Sequence, residues 1–201
     1  MYLDSVTLAV SDLTADARRL SDALALTVDN GSIRLGPSHI DLKTVEHPPG
    51  WWAFALRRDP PPGMDATAPH PLGAVGISAV ALAVHDLDAH VPSYEALIGH
   101  APHRDSVAFV QARRVNWQLE DGSILRLLTP EQPGIGTVAE HLALRGEGVF
   151  IVRLAVRDLG HAVAELGRRG TLVSDTQPDG TVFLLDPGVT LGARFALVES
   201  S

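Results

Sequence analysis

The chain has 201 residues, of which 45% are hydrophobic, and a formal net charge of −8. This length suffices for one large domain or two small ones, and the acidic balance argues against nucleic acid as a partner. The absence of cysteine excludes disulfides, thiolate zinc sites and a cysteine nucleophile. Because the sequence shows neither a signal-peptide pattern nor a membrane-length apolar run, we expect a cytoplasmic protein with no membrane contact.

One pattern, Leu-Ala-Val-x-Asp-Leu, occurs three times along the chain. It starts at Leu8, Leu82 and Leu154, so successive copies begin 74 and 72 residues apart. A near-constant period indicates a fold assembled from copies of one unit. Each pattern ends an apolar run rich in β-branched residues, which predicts a buried strand. The Asp of the pattern is placed to cap the helix that follows.

The first copy predicts a strand, a helix and three further strands. The helix is expected over 15–25, and the later strands over 26–28, 32–35 and 39–45. An additional strand, 51–58, is either a lone edge strand or the opening strand of an incomplete fourth copy. These elements make up a first region, 1–58, which a proline-rich linker, 59–75, joins to the remainder.

The second and third copies predict the same order of elements. For the second copy we expect a helix over 89–98 and strands over 108–111, 114–119 and 123–128. For the third copy we expect a helix over 161–169 and strands over 171–174, 181–185 and 193–198. A loop with a short helix, 138–144, lies between them. Residues 76–199 are therefore predicted to form one complete two-module domain.

This order and the repeated signature resemble the vicinal oxygen chelate superfamily, which includes glyoxalase I, bleomycin-resistance proteins, extradiol dioxygenases and methylmalonyl-CoA epimerase. The resemblance is best over 76–199, where residues 139–149 are similar to the segment that leads into the second module of methylmalonyl-CoA epimerases. It implies an α+β fold of repeated βαβββ modules. Paired modules in such proteins form a cupped mixed β-sheet with helices outside.

The resemblance also implies where a divalent metal would be held, by a His in the first strand and an acid in the last strand of each module. The first-strand positions are Ser5, Ala79 and Ile151, and the last-strand positions are Asp41, Arg126 and Ala196. Within 76–199 none of the four can bind a cation, and a guanidinium repels one. We therefore expect no metal and no other cofactor there.

One weak metal candidate remains in the first copy. His39 and Asp41 are two residues apart on a predicted strand and can share a face. Two ligands rarely suffice for a protein metal site, so a solvated strand end is the competing interpretation.

Strand alternation predicts which side chains share the face that relatives use for metal. The polar members are Arg114, Asn116, Gln118, Arg126, Arg153 and Arg194. Phe150, Phe183 and Phe195 are expected to supply apolar walls. Since guanidinium groups bind carboxylates and phosphates through paired hydrogen bonds, we predict a cup for a small anionic organic molecule. Alternatively, the arginines pair with internal acids such as Glu120, Asp186 or Glu199, or extend to solvent at the rim.

Several functions fit this cup. One is a metal-free binding protein that sequesters a metabolite. Another is a metal-independent isomerase, lyase or cyclase on a carboxylate or acyl-thioester substrate, with arginines stabilising developing negative charge. A divalent-metal glyoxalase-type or dioxygenase-type enzyme with non-standard ligands and an inactive interaction module are further alternatives. No general base is evident, although His141 or Glu147 could supply one if their segment folds over the cup.

The first module has no partner module in the chain. It either packs onto the 76–199 unit, with strand 51–58 helping to cover it, or pairs with the same module of another subunit. The second arrangement gives a two-fold homodimer, which the family resemblance favours.

Overall fold

A computed structural model describes residues 1–35, 38–44, 52–59, 70–171, 173–175 and 182–200. Within these ranges the chain forms four α-helices and twelve strands in two mixed sheets, which confirms the predicted α+β class. Most of the predicted linker, residues 60–69, lies outside the described residues. Among the helices of the described ranges, none has the length and apolar character needed to cross a bilayer.

The first module forms a four-stranded sheet in the order β2-β3-β1-β4. Its elements are β1 (Tyr2–Val10), α1 (Leu13–Leu24), β2 (Ser32–Leu35), β3 (Ser38–Thr44) and β4 (Trp52–Arg57). The predicted strand 26–28 is wrong, because these residues form no strand. Ala25 ends α1 in the left-handed conformation, and Leu26 is only 1% exposed. The apolar character of that segment therefore reflects burial rather than sheet pairing.

The second and third modules form one eight-stranded sheet in the order β10-β11-β12-β9-β5-β8-β7-β6. The second contains β5 (Ala74–Ala83), α2 (Leu87–Ile98), β6 (His103–Val107), β7 (Ala112–Gln118) and β8 (Ile124–Pro130). After α3 (Thr137–Arg145), the third contains β9 (Gly148–Val156), α4 (Leu159–Arg168), β10 (Val173–Asp175), β11 (Val182–Leu185) and β12 (Phe195–Glu199). The predicted strand 108–111 is wrong: it is a 3-10 turn that follows β6.

Pairing in the two sheets follows one plan. The opening strand of each module lies parallel to the last strand of its own module, as β1 does with β3 and β5 with β8. On its other side β5 pairs antiparallel with β9, and β1 pairs antiparallel with β4. β4 therefore lies at the edge of its sheet, as expected for a lone edge strand. It also pairs with β1 as β9 pairs with β5, as expected for the opening strand of an incomplete fourth copy.

The repeated Asp caps a helix in all three modules, as predicted. Asp12 accepts hydrogen bonds from the backbone N–H groups of Thr14 and Ala15. Asp86 and Asp158 accept equivalent bonds at the starts of α2 and α4. These carboxylates satisfy donors that a helix N-terminus leaves free, which explains why the signature recurs.

A continuous apolar core joins the first module to the other two. It combines Leu20 and Ile40 with Val80 and Leu154, each at most 1% exposed. Helices α1, α2 and α4 all contribute side chains to this main core. Polar contacts reinforce the junction, for example Thr171 Oγ1, which donates to the Ala23 carbonyl at 2.7 Å. The first module thus packs onto the 76–199 unit, the first of its two predicted arrangements.

Candidate functional site

A group of polar side chains lies together on the face of the eight-stranded sheet opposite the main core. Strands β7, β8 and β9 each alternate, so that Trp117, Leu125 and Val152 enter the main core. The intervening residues point the other way, and all four are half-buried. We call this surface the arginine face; it consists of Arg114, Asn116, Arg126 and Arg153.

The strand register brings these side chains together above small residues. Asn116 pairs with Arg126 across β7 and β8, and Arg126 pairs with Ala81 of β5. On the other side of β5, Ala79 pairs with Arg153. The alanines at the centre are buried, Ala79 at 2% and Ala81 at 4% exposure, so long arginine side chains flank a stretch of small residues.

One arginine of the face is neutralised. Arg114 Nε donates to Asp105 Oδ1 at 2.7 Å, and its terminal amino group donates to the second carboxylate oxygen. This bidentate contact lowers the pKa of Asp105 and raises that of Arg114. Sequence reasoning missed Asp105 because it did not predict strand β6. Only the pairing of Asp105 with Arg114 across β6 and β7 reveals the contact.

Arg126 and Arg153 lack such compensation. Burial lowers the pKa of Arg126 to about 9, and the positive charges of Arg153 and Arg114 act in the same direction. Burial also lowers the pKa of Arg153, and the positive charge of Arg114 lowers it further. Among the described residues, neither guanidinium forms an ion pair or hydrogen bond, and Arg126 Nε and Asn116 Oδ1 are buried without partners. A desolvated, unpaired positive charge is costly, so this arrangement favours a bound anion.

The internal acids proposed as alternative partners form no ion pair with Arg126 or Arg153 among the described residues. Glu120 accepts a short hydrogen bond from the N-terminal ammonium of Met1, and Asp186 accepts from the Gly188 N–H at 2.7 Å. Glu199 is exposed at the end of β12. Within the described parts of the chain, Arg114 is therefore the one arginine of this face that pairs with an acid of the protein.

Arg194 precedes β12 and lies beside His141 of α3. Its guanidinium carbon is 4.7 Å from the centre of the Phe150 ring. The His141 ring meets the same phenyl ring edge-on, with 5.4 Å between centroids. Burial lowers the pKa of His141 to about 4, and the neighbouring charges of Arg194 and Arg145 add to this effect. His141 is therefore a neutral imidazole at pH 7.

A β-bulge decides the direction of Phe150. Ala81 pairs with Ile151 while the next residue, Leu82, pairs with Val149, so Phe150 is the extra residue. Phe150 consequently joins a smaller apolar cluster with Val138 and Leu142 of α3. α3 thus covers part of the sheet on the side of the arginine face.

Two predicted wall residues require correction, and one polar residue lies at the margin. Phe195 is 1% exposed and lies in the main core, because consecutive residues of a strand face opposite ways and Arg194 takes the other side. Phe183 also packs against the main core. Gln118 is exposed at the end of β7.

The metal candidates His39 and Asp41 and the general-base candidate Glu147 each contact a nearby side chain or backbone group. His39 Nε2 lies 3.4 Å from Asp41 Oδ2, so the two share a face as expected. Across the described residues, no group of three or more potential metal ligands occurs. Glu147 accepts hydrogen bonds from the His85 N–H at 2.7 Å and from His90, which ties it to the start of α2.

Comparisons with known proteins connect this fold to one group of enzymes. No family model and no curated protein matches the sequence. Methylmalonyl-CoA epimerase from Mycobacterium tuberculosis is similar in structure, with a TM-score of 0.57 and 20% identity over 64% of this chain and 90% of that one. A variant of the Streptomyces coelicolor epimerase bound to 2-nitronate-propionyl-CoA has a TM-score of 0.53 and 28% identity, covering 62% and 96%.

A methylmalonyl-CoA epimerase in complex with methylmalonyl-CoA and NH4+ gives the same TM-score of 0.53 at 29% identity, over 62% of this chain and 94% of that one. These likenesses confirm the resemblance that the repeated modules predicted. The chain has the βαβββ fold of the vicinal oxygen chelate superfamily, and its structural neighbours are methylmalonyl-CoA epimerases.

Proposed function

We propose that this chain binds a small organic anion on the arginine face without a metal ion. The observation that supports this most strongly is the pair of half-buried guanidiniums, Arg126 and Arg153, which form no ion pair among the described residues. An anion bound between them would offset their mutual repulsion. It would also restore hydrogen bonds to groups that burial has removed from water.

The free hydrogen-bonding groups suggest what the ligand carries. Carboxylate oxygens would accept from Arg126 and Arg153, including the Arg126 Nε that has no partner. Asn116 Oδ1 is buried and unpartnered as well, and it accepts rather than donates. We therefore expect a carboxylate close to an O–H or N–H group. Since two structural neighbours hold acyl-CoA compounds, acyl-CoA thioesters with a second acidic group are the first class to test.

The position of Arg126 supports binding without metal. It occupies the last-strand site at which the family resemblance places an acidic metal ligand, and its positive charge opposes cation binding. With an arginine in place of an acidic metal ligand, we expect the site to hold a small anion and no metal cofactor. Elemental analysis of the purified protein tests it, since a stoichiometric transition metal would contradict the proposal.

Thermal-shift and calorimetric titrations test the ligand directly. We expect at least one of acetate, malonate, phosphate and methylmalonyl-CoA to stabilise the protein, by about 2.7 kcal/mol at 100 times its dissociation constant. Arg126→Gln and Arg153→Gln should each weaken that ligand roughly 10- to 100-fold, as expected for a charged hydrogen bond. Arg113→Gln is the matched control, because Arg113 precedes Arg114 on β7 and is exposed.

Unchanged affinity in both face variants would show that the ligand binds elsewhere. The enzyme alternative has a separate signature. A metal-independent isomerase would exchange the α-proton of the bound ligand in D2O, whereas a binding protein would not.

We also propose the homodimer and the three-region division, 1–58, 59–75 and 76–199. The edge position of β4 supports the dimer, because among the described residues β4 pairs with β1 on one side only and is the last strand of its sheet. Light scattering should give twice the chain mass of 21.4 kDa. A monomer at micromolar concentration would contradict it.

A further inference from the structure

We propose a second ligand pocket at the end of α3, which binds a compact carboxylate with an apolar body. The pocket is a cavity of about 190 Å³ between the last turn of α3 and the segment that precedes β12. Its lining consists of His141, Leu144, Arg145, Val149, Phe150, Pro187, Gly192 and Arg194. The proposal separates Arg194 and Phe150 from the arginine face and does not depend on ligand binding there.

The charged end of the pocket is Arg194. Its guanidinium lies over the Phe150 ring, with the guanidinium carbon 4.7 Å from the ring centre. Burial lowers the pKa of Arg194, and the negative charge of Glu140 acts in the opposite direction. Within the described residues Arg194 forms no ion pair, with Glu140 or any other acid. A carboxylate in the cavity would supply the missing counter-charge.

His141 supplies a second polar contact without adding charge. His141 is only 8% exposed and lines the cavity. Its ring packs against Phe150 and forms no hydrogen bond with a described residue. A neutral imidazole has one donor and one acceptor nitrogen. It can therefore donate to one carboxylate oxygen while Arg194 holds the other.

The remaining walls define the rest of the ligand. Val149, Phe150 and Pro187 are apolar, and Leu144 is 85% exposed beside the cavity. Cavities that hold drug-sized molecules measure about 300–1,000 Å³. A volume of about 190 Å³ therefore selects a smaller molecule, such as a single aromatic or branched aliphatic acid.

The lining of the pocket contains none of the four residues of the arginine face. Arg194 precedes β12 and Arg126 is on β8, so three strand spacings separate them. At about 4.8 Å for each spacing, this amounts to roughly 14 Å. Phe150 and Ile151 lie between them, on the intervening strand β9. A compact carboxylate therefore cannot contact both Arg194 and Arg126. Arg153 is nearer, on β9 beside β12, but it does not line the pocket.

NMR titration of the full chain with benzoate tests the second pocket. We expect benzoate to shift the His141 ring resonances saturably, with a dissociation constant of roughly millimolar order. It should also raise the pKa of His141, because a bound carboxylate favours the imidazolium. Arg194→Gln should weaken binding about tenfold or more, whereas Arg113→Gln should leave it unchanged.

Arg126→Gln separates this proposal from the proposed function. Retained benzoate binding in that variant supports a second pocket, even if every ligand of the arginine face fails. Loss of benzoate binding in Arg126→Gln would place the carboxylate on the arginine face and overturn the proposal. The proposal would also be overturned if the His141 ring resonances of the wild type did not shift at about 10 mM benzoate. This measurement does not depend on the folding of any variant.

Discussion

Replacing Arg126 by methionine should stabilise the protein when no ligand is present. The pKa of Arg126 is about 9 in the native state, below its ordinary value of 12.5, so its charge opposes folding at pH 7. At about 1.4 kcal/mol for each pH unit, the full penalty is roughly 5 kcal/mol. Water reaches part of this half-buried side chain, and we therefore expect a gain of about 1–3 kcal/mol.

The assay is thermal or urea unfolding at pH 7 with and without ligand. A gain of about 1–3 kcal/mol corresponds to a rise in Tm of roughly 2–10 °C for a chain of this length. Adding the tightest anion found should stabilise the wild type clearly more than Arg126→Met, because the variant binds it roughly 10- to 100-fold more weakly. The control, Arg113→Met, should stay within about 0.5 kcal/mol, because Arg113 is exposed.

A loss of stability in ligand-free Arg126→Met would refute this reasoning. It would mean that the guanidinium makes favourable contacts in the native protein that outweigh its burial. An empty anion site would then no longer be the explanation for its position.

Three other substitutions test the electrostatics of the structure. The pKa of His141 is about 4 in the native state, so the free energy of unfolding should fall by up to roughly 3 kcal/mol between pH 6.5 and 4. When His141→Gln is measured by urea unfolding over the same pH range, this part of the fall should be absent. Asp105→Asn leaves Arg114 without its partner, so calorimetry should show a loss of about 1–2 kcal/mol in stability together with tighter anion binding. If Asp105→Asn leaves anion affinity unchanged, Arg114 does not contribute to the site. His70→Ala removes hydrogen bonds to two backbone groups of the first module, which should cost about 1–3 kcal/mol by urea unfolding; a smaller change would indicate that water replaces the ring.

Local sequence patterns predicted much of the fold because the repeated module is encoded locally. The Asp caps, the helices and the alternation of β7 and β8 depend on neighbours within a few residues. Alternation alone therefore placed Arg114, Arg126 and Arg153 on one face. Trp117, which alternates with Arg114 on β7, is fully buried in the core.

What strand alternation does not predict depends on contacts between distant segments. Phe150 lies on the side of the arginine face because of a bulge, which strict alternation cannot anticipate. The ion pair between Asp105 and Arg114 exists only because β6 pairs with β7. Leu26 was assigned to a strand because buried loop residues and buried strand residues share the same apolar composition.

The most direct test of anion binding is a crystal structure with the tightest ligand of the carboxylate and acyl-CoA panel. We predict carboxylate oxygens at about 2.7–2.9 Å from guanidinium nitrogens of Arg126 and Arg153, with an N–H or O–H of the ligand directed at Asn116 Oδ1. A cation coordinated by side chains on this face would contradict the account. So would guanidiniums of Arg126 and Arg153 that bind carboxylates of the protein itself.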